Sequence, residues 1–201
     1  MLQKFQMIGK GVNVMVVNEK ALVNRMKDAY KNQGYTVAVQ DEQMMINSGY
    51  WLVQIDMENV PNEVLSLIAL HMRLIPEDGT AYKVVKGDDG PFVQSKLISD
   101  ALGGLEQLFE ELKAELLHPG MKKSSLRFDG NSVWQTTVGS TIYLIDPRYE
   151  VLISSDAAVS MVGNGIYAEG NTSRAWVLRV AVSGSDTDKV RHLAEYRWVQ
   201  A

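Results

Sequence analysis

The chain has 201 residues, of which 46% are hydrophobic and 22% charged, and its formal net charge is −4. That composition excludes an intrinsically disordered chain, because it offers enough apolar surface to offset the entropy lost on folding. The sequence contains no cysteine, which excludes disulfide bonds, thiol nucleophiles and iron–sulfur centres. The slight excess of acidic residues argues against a dedicated nucleic-acid-binding protein, because phosphate contacts require a basic face.

The first part of the sequence predicts a strand, a helix and three further strands. Alternating β-branched residues at 11–17 predict the first strand. Asn18 is suited to cap a helix over 19–33 that ends before Gly34. Short turns between the later segments favour antiparallel hairpins. The three further strands are predicted at 35–40, 43–46 and 50–56.

Two more helices and a hairpin complete the first 120 residues. Apolar residues predict a second helix from Asn59 or Asn62 to Leu74, and a Gly-Asp-Asp-Gly turn predicts a hairpin of strands 80–86 and 91–96. A third helix is predicted over 99–118, and we expect it to pack against the sheet rather than to form a dimer contact. Its apolar residues recur at helical spacing: Leu102, Leu105, Phe109, Leu112 and Leu116.

The remainder of the chain is predicted to be rich in β-structure. Residues 121–125 form a predicted connector, and no helix is expected from Leu126 onward. Short segments separated by turns of Gly, Asn, Asp and Ser are typical of a meander, a sandwich or a small barrel. The predicted strands are 126–128, 132–138, 141–146, 149–154, 159–162, 166–169, 174–182 and 189–199.

The predicted fold class is α+β. An N-terminal mixed α/β half with three helices and an antiparallel-rich sheet precedes a β-rich half of the meander or sandwich type. The change in composition divides the chain into residues 1–120 and 121–201. The shorter part alone would bury only a thin core, so one integrated unit remains open beside two separate domains.

The sequence also bears on where the protein acts. No segment has the roughly 18 consecutive apolar residues that a membrane-spanning helix needs. The N-terminal segment lacks the charged and apolar regions of a signal peptide. We therefore predict an intracellular, cytoplasmic protein that does not bind membranes.

Motifs of known catalytic chemistry are missing from the sequence. It contains no Gly-x-Ser-x-Gly elbow, no phosphate-binding loop and no complete dinucleotide fingerprint, and none of its three histidines has a partner at metal-ligand spacing. No segment carries the motif of a known family. We therefore predict no catalytic residue, no metal and no cofactor.

Aromatic residues and arginines alternate along the β-rich half. Half-buried sheets favour such residues for packing, but the same combination is typical of surfaces that hold a partner. We therefore predict a non-catalytic binding or assembly protein, such as a bacterial or phage accessory or inhibitory factor, that binds a protein partner or associates with itself. The predicted contact residues are Trp134, Arg148, Trp176, Arg179, Arg197 and Trp198.

Two other functions remain open from the sequence alone. One is a small-ligand-binding protein or a hydrolase-like enzyme, whose site would lie between the two halves because clefts between domains often hold ligands. Arg148 would bind an anion in that site. The other function is a structural subunit of a phage or secretion particle. The candidate residues of the ligand site are Asp56, Glu58, His71, Asp146 and His192.

Overall fold

The computed structural model describes residues 15–87, 92–93, 120–182, 185–196 and 198. These residues form four α-helices and eleven β-strands. The helices are α1 (Glu19–Lys31), α2 (Asn62–Met72), α3 (Pro147–Glu150) and α4 (Ser185–Leu193). The strands are β1 (Tyr35–Gln40), β2 (Gln43–Asn47), β3 (Trp51–Asp56), β4 (Thr80–Val84), β5 (Phe92–Val93), β6 (Gly120–Phe128), β7 (Asn131–Thr136), β8 (Ile142–Ile145), β9 (Val159–Val162), β10 (Gly165–Glu169) and β11 (Ser173–Leu178).

One antiparallel sheet runs through both halves of the sequence, and the fold class is α+β as predicted. The strand order is β5-β4-β1-β2-β3-β11-β10-β9-β6-β7-β8. Strand β3 of the first half pairs with β11 of the second, with Val53 opposite Ala175. An isolated bridge between Ile145 of β8 and Arg179 brings β8, an edge strand of the sheet, next to the end of β11. The strands of the second half, β6 to β11, are therefore curved so that this edge strand approaches β11.

Helices α1 and α2 contribute to the largest hydrophobic core, which includes side chains from both halves. Leu22 of α1 is completely buried there, and full burial of such a side chain stabilises a fold by about 1.5–3 kcal/mol. Because side chains alternate along a strand, Leu52 and Trp176 belong to a smaller cluster instead. The large core contains, among others, Met26, Trp51, Ile68, Ile145, Ile166 and Val177.

The start and the end of α1 follow the predicted signals. The side chain of Asn18 accepts a hydrogen bond from the Ala21 amide at 3.1 Å, as a cap should. Gly34 follows the helix with a φ of +79°. A β-carbon there would overlap the Val84 carbonyl and the Val85 side chain, so glycine alone fits this position.

Three predictions for the second half are wrong. Residues 121–125 belong to β6 and are not a connector. Part of the predicted strand 149–154 is helical, because Asp146 caps α3 and Pro147 occupies its first position. The predicted strand 189–199 begins as α4, whose acidic first turn and basic last turn favour a helix. The expectation that no helix follows Leu126 therefore fails twice.

Some predicted elements lie outside the described residues. The third helix over 99–118 is one of them, and so are residues 11–14 of the first predicted strand. Val17 forms an isolated bridge with Ile153. The division into 1–120 and 121–201 stays a prediction. In the part of the chain that the structure describes, each helix is too short to cross a bilayer.

Candidate functional site

A cleft of about 650 Å³ opens where the two halves of the chain meet. It is bounded by the end of α1, the start of β3, the short helix α3 and the residues that follow β11. Its lining is mixed, with aromatic rings, aliphatic side chains and charged groups. The residues that define its chemistry are Arg25, Asp28, Tyr50, Asp146, Arg148, Tyr149, Leu178, Arg179, Val180 and Ala181.

Two stacked tyrosines form one wall of the cleft. The rings of Tyr50 and Tyr149 have centroids 5.5 Å apart and an interplanar angle of 6°. Tyr50 is 52% exposed and follows a turn in which the Gly49 amide donates a hydrogen bond to the Asn47 side chain. Tyr149 is carried by α3. The stack therefore joins one residue from each half and presents an aromatic surface to solvent.

Arg148 is held in place by Asp146. Its Nε and Nη2 groups donate to both carboxylate oxygens at 2.6–3.1 Å, and its backbone amide donates to Oδ1 at 2.8 Å. These hydrogen bonds to Arg148 are the main reason why the pKa of Asp146 lies below its usual value. The guanidinium carbon of Arg148 also lies 5.5 Å from the centre of the Tyr149 ring. Asp146 and Arg148 thus form a fixed charge pair beside the tyrosines.

Arg179 lies immediately after β11, and its backbone is fixed on both sides. Its amide donates to the Asn164 carbonyl at 2.8 Å, and the next amide, of Val180, donates to the Leu144 carbonyl at 2.8 Å. The guanidinium carbon lies 5.0 Å from the centre of the Tyr143 ring, which is itself buried. Among the described residues, no carboxylate lies within ion-pair distance of Arg179.

The charges of the cleft sum to a positive value in an acidic protein. Three arginines and two aspartates line it, a balance of +1, whereas the whole chain carries −4. Arg25 pairs with Asp28 at 2.9 Å, and its side chain is 20% exposed. The Nε group of Arg25 is buried and has no acceptor among the described residues. The cleft is therefore suited to a negatively charged group.

The structure brings two of the six predicted contact residues, Arg148 and Arg179, into this cleft. Trp134 lies elsewhere and is only 8% exposed, while Trp176 is half-buried in the smaller core cluster. Trp198 is also half-buried, and its indole nitrogen donates to the Leu193 carbonyl at 2.8 Å. Arg197 lies outside the described residues.

The five predicted residues of the alternative ligand site are not brought together. Asp146 lines the cleft already described. Asp56 and Glu58 line a different cleft of about 760 Å³, at the opposite end of β3, together with four more carboxylates. Among the described residues no group of three histidine or acidic side chains is placed to hold a metal ion. The other four carboxylates are those of Asp41, Glu42, Glu77 and Asp78.

The two histidines of that predicted site occupy separate places. His71 stacks on Tyr30 with centroids 3.8 Å apart, and its Nδ1 atom lies 2.9 Å from the Tyr35 hydroxyl. Burial lowers the pKa of His71 below its usual value, and the charge of Lys27 adds to this effect. His192 was expected in a strand, but it lies exposed on α4, 2.8 Å from Glu195.

Sequence reasoning missed Tyr50 and Tyr149 as site residues. Tyr149 directly follows Arg148, and Tyr50 is the first residue of the predicted strand 50–56, but neither position indicates that the two rings meet. Their stacking depends on the pairing of β3 with β11, which brings the two halves side by side. That long-range pairing has no local sequence signal.

Comparison with known proteins yields only a weak structural likeness. No protein-family model matches the chain, and no curated protein matches it significantly. The solved structures to which the chain is similar include a protein from Eubacterium rectale described as a DNA polymerase III beta subunit, with a TM-score of 0.36, and the beta subunit from DNA polymerase of Streptococcus pyogenes, with a TM-score of 0.34. Each is 8% identical, and each match covers 86% of this chain and 66% of the other. Similarity of this size does not establish a shared function.

Proposed function

We propose that this protein is a non-catalytic binding or assembly protein and that a partner protein docks in the cleft between its two halves. The observation that carries the proposal is the stack of Tyr50 on Tyr149, in a cleft that Arg148 and Arg179 also line. Tyrosine and arginine are enriched among the residues that contribute most to protein–protein binding. Here they are concentrated in one concave site.

The rigidity of the site supports the same function. Arg148 is tied to Asp146, and Arg179 rests over the fixed ring of Tyr143, whose hydroxyl donates to the Gly163 carbonyl at 2.6 Å. Side chains that are already ordered lose less entropy when a partner binds. A partner would therefore meet a surface that is formed in advance.

A small ligand in the same cleft is the second candidate. Its volume of about 650 Å³ lies within the range of small-molecule sites, about 300–1,000 Å³. An acidic ligand of that size would use the same arginines. Among the described residues no histidine lines the cleft, so neither His71 nor His192 forms there the acid–histidine pair suggested for a hydrolase-like site.

Site-specific photocrosslinking distinguishes these candidates. The photoreactive residue p-benzoylphenylalanine replaces Ala181, which is exposed on the rim of the cleft, in cells that make the protein. The control carries it at Asp188, whose side chain is 82% exposed on α4 and does not line the cleft. We expect a discrete protein crosslink from position 181 that position 188 does not give and that Tyr149→Ala abolishes.

Two results would count against the proposed partner protein. Crosslinks that are the same from both positions, or that persist in Tyr149→Ala, would show that the cleft does not hold the partner. Native mass spectrometry of the gently purified protein covers the second candidate. A retained mass of a few hundred daltons, lost in Tyr149→Ala, would replace the partner protein by a small ligand.

A further inference from the structure

The two exposed arginines of the cleft are not equivalent. Arg148 already directs two of its guanidinium nitrogens at Asp146, and its charge is balanced by that carboxylate. Arg179 has no described carboxylate partner and contacts an uncharged ring, that of Tyr143. An arginine stacked on a ring keeps the N–H groups at its edge available, and these match the two oxygens of a carboxylate. Arg179 is thus the arginine with unused binding capacity.

The backbone amides beside Arg179 are already engaged. The amides of Leu178, Arg179 and Val180 donate to the carbonyls of Tyr50, Asn164 and Leu144, respectively, at 2.8–3.1 Å. An incoming peptide therefore cannot extend the sheet by bonding to these amides, which is the usual way in which an extended peptide joins a sheet edge. The exposed side chains are the groups that we expect to recognise a partner at this position.

An apolar surface lies next to Arg179 in the same cleft. Leu178 and Val180 are partly exposed, and Ala181 is exposed. The Tyr50–Tyr149 stack provides a flat aromatic face nearby, and aromatic pairs favour a further ring or an aliphatic side chain against them. The cleft therefore combines one available positive charge with an apolar floor and an aromatic wall.

We infer that the partner presents a segment in which a carboxylate side chain binds Arg179 and a neighbouring aromatic or aliphatic side chain packs on the Tyr50–Tyr149 stack. This inference rests on the proposed docking function and adds the chemistry of the partner. Arg148 is a positioning residue in this account, because it orients the tyrosine wall while its charge is used by Asp146. The net charge of +1 in the cleft provides the complementarity that an acidic segment requires.

A peptide array tests this chemistry directly. Each peptide has a Gly-Ser frame around two central positions, and the array varies both positions through all twenty amino acids. Labelled full-length protein is applied at low salt, because exposed charge pairs weaken as ionic strength rises. We expect binding to peptides that pair Asp or Glu with an aromatic or large aliphatic residue. The matching Asn or Gln peptides should bind about tenfold less, as for the loss of a charge-assisted hydrogen-bond pair.

Three matched variants assign the contact. Arg179→Gln should abolish the difference between Asp and Asn peptides, whereas Arg148→Gln should weaken all peptides and keep that difference. Arg127→Gln is the control, because Arg127 is exposed on β6, outside the cleft, and should behave as the unchanged protein. Circular dichroism checks that each variant is folded.

Each remaining outcome overturns the inference. Binding without acidic preference, a preference that survives in Arg179→Gln, or an array without any binding peptide would each contradict it. None of these results touches the docking function itself, because the crosslink from position 181 is measured independently of partner chemistry. A cleft-specific crosslink together with an indifferent array would keep the function and reject the acidic segment.

Discussion

Tyr50 and Tyr149 stack with nearly parallel rings whose centroids are 5.5 Å apart, although the two residues are 99 positions apart in the sequence and belong to different halves of the chain. Tyr50 is placed by the turn before β3, and Tyr149 by the helix that Asp146 caps. The pair therefore forms one wall of the cleft between the halves.

Loss of the tyrosine stack should affect binding more than stability. Tyr149→Ala removes one ring; the loss of the aromatic pair should lower the free energy of unfolding by about 0.5–1.5 kcal/mol, in addition to the lost burial of a ring that is only partly covered by the core. The crosslink from position 181 should disappear. Tyr149→Phe keeps the ring and should leave both properties nearly unchanged; equal losses in the two variants would show that the hydroxyl, not the stack, matters.

Asp146 contributes to stability in two separable ways. Asp146→Ala removes the cap of α3 and the partner of Arg148, and it should lower the free energy of unfolding by about 0.5–2 kcal/mol, as for other helix caps. Asp146→Asn keeps the capping oxygen and removes the charge, so it should cost less. Urea denaturation of both variants at neutral pH measures this. An Asn variant as unstable as the Ala variant would contradict the capping role.

Stability should fall in mild acid because of His71. Burial lowers its pKa in the folded protein, so the unfolded chain binds a proton at a higher pH than the folded one. Its contribution is therefore present above the ordinary value of 6.5 and is lost as the pH falls through 6.5 towards the lower folded value. Urea denaturation between pH 8 and pH 5 should show a smaller loss in His71→Gln than in the unchanged protein. Parallel curves would contradict this account.

Gln135 connects β7 to the segment that follows α4. Its side chain is fully buried, donates to the Tyr196 carbonyl at 2.7 Å and accepts from the Trp198 amide at 2.8 Å. Gln135→Leu should cost about 1–3 kcal/mol, because the partly buried Tyr196 carbonyl and Trp198 amide lose their partner. It should also speed proteolysis after residue 193.

Trp198→Phe is the comparison for Gln135→Leu, because it keeps both backbone contacts of Gln135 and should remain protected from proteolysis. If the two variants were cleaved equally fast, the indole and not the glutamine would hold this segment.

Local signals in the sequence were sufficient for most elements of the first half. Asn18 and Gly34 bound α1 as expected, and Tyr35, Val37 and Val39, which alternate along β1, are all buried in the large core. The second half was harder, because its two helices are short or polar. In α4 the residues Val190 and Leu193 are spaced for a helix face, but the surrounding residues also fit an alternating strand pattern.

The site could be predicted only in part for a related reason. Arginine and aromatic residues indicated a binding surface, and both Arg148 and Arg179 line the cleft. Whether the other predicted contact residues are exposed depends on burial, and a single sequence does not show which face of a strand is covered. Trp134 illustrates this, because it reads as a contact residue and lies in the core.

The central claim is that a partner occupies the cleft, and the crosslink from position 181 in the presence of Tyr149→Ala tests it most directly. The account predicts that this variant loses most of the crosslinked partner while Arg127→Gln keeps it. An undiminished crosslink in Tyr149→Ala, or an equal loss in Arg127→Gln, would contradict the claim.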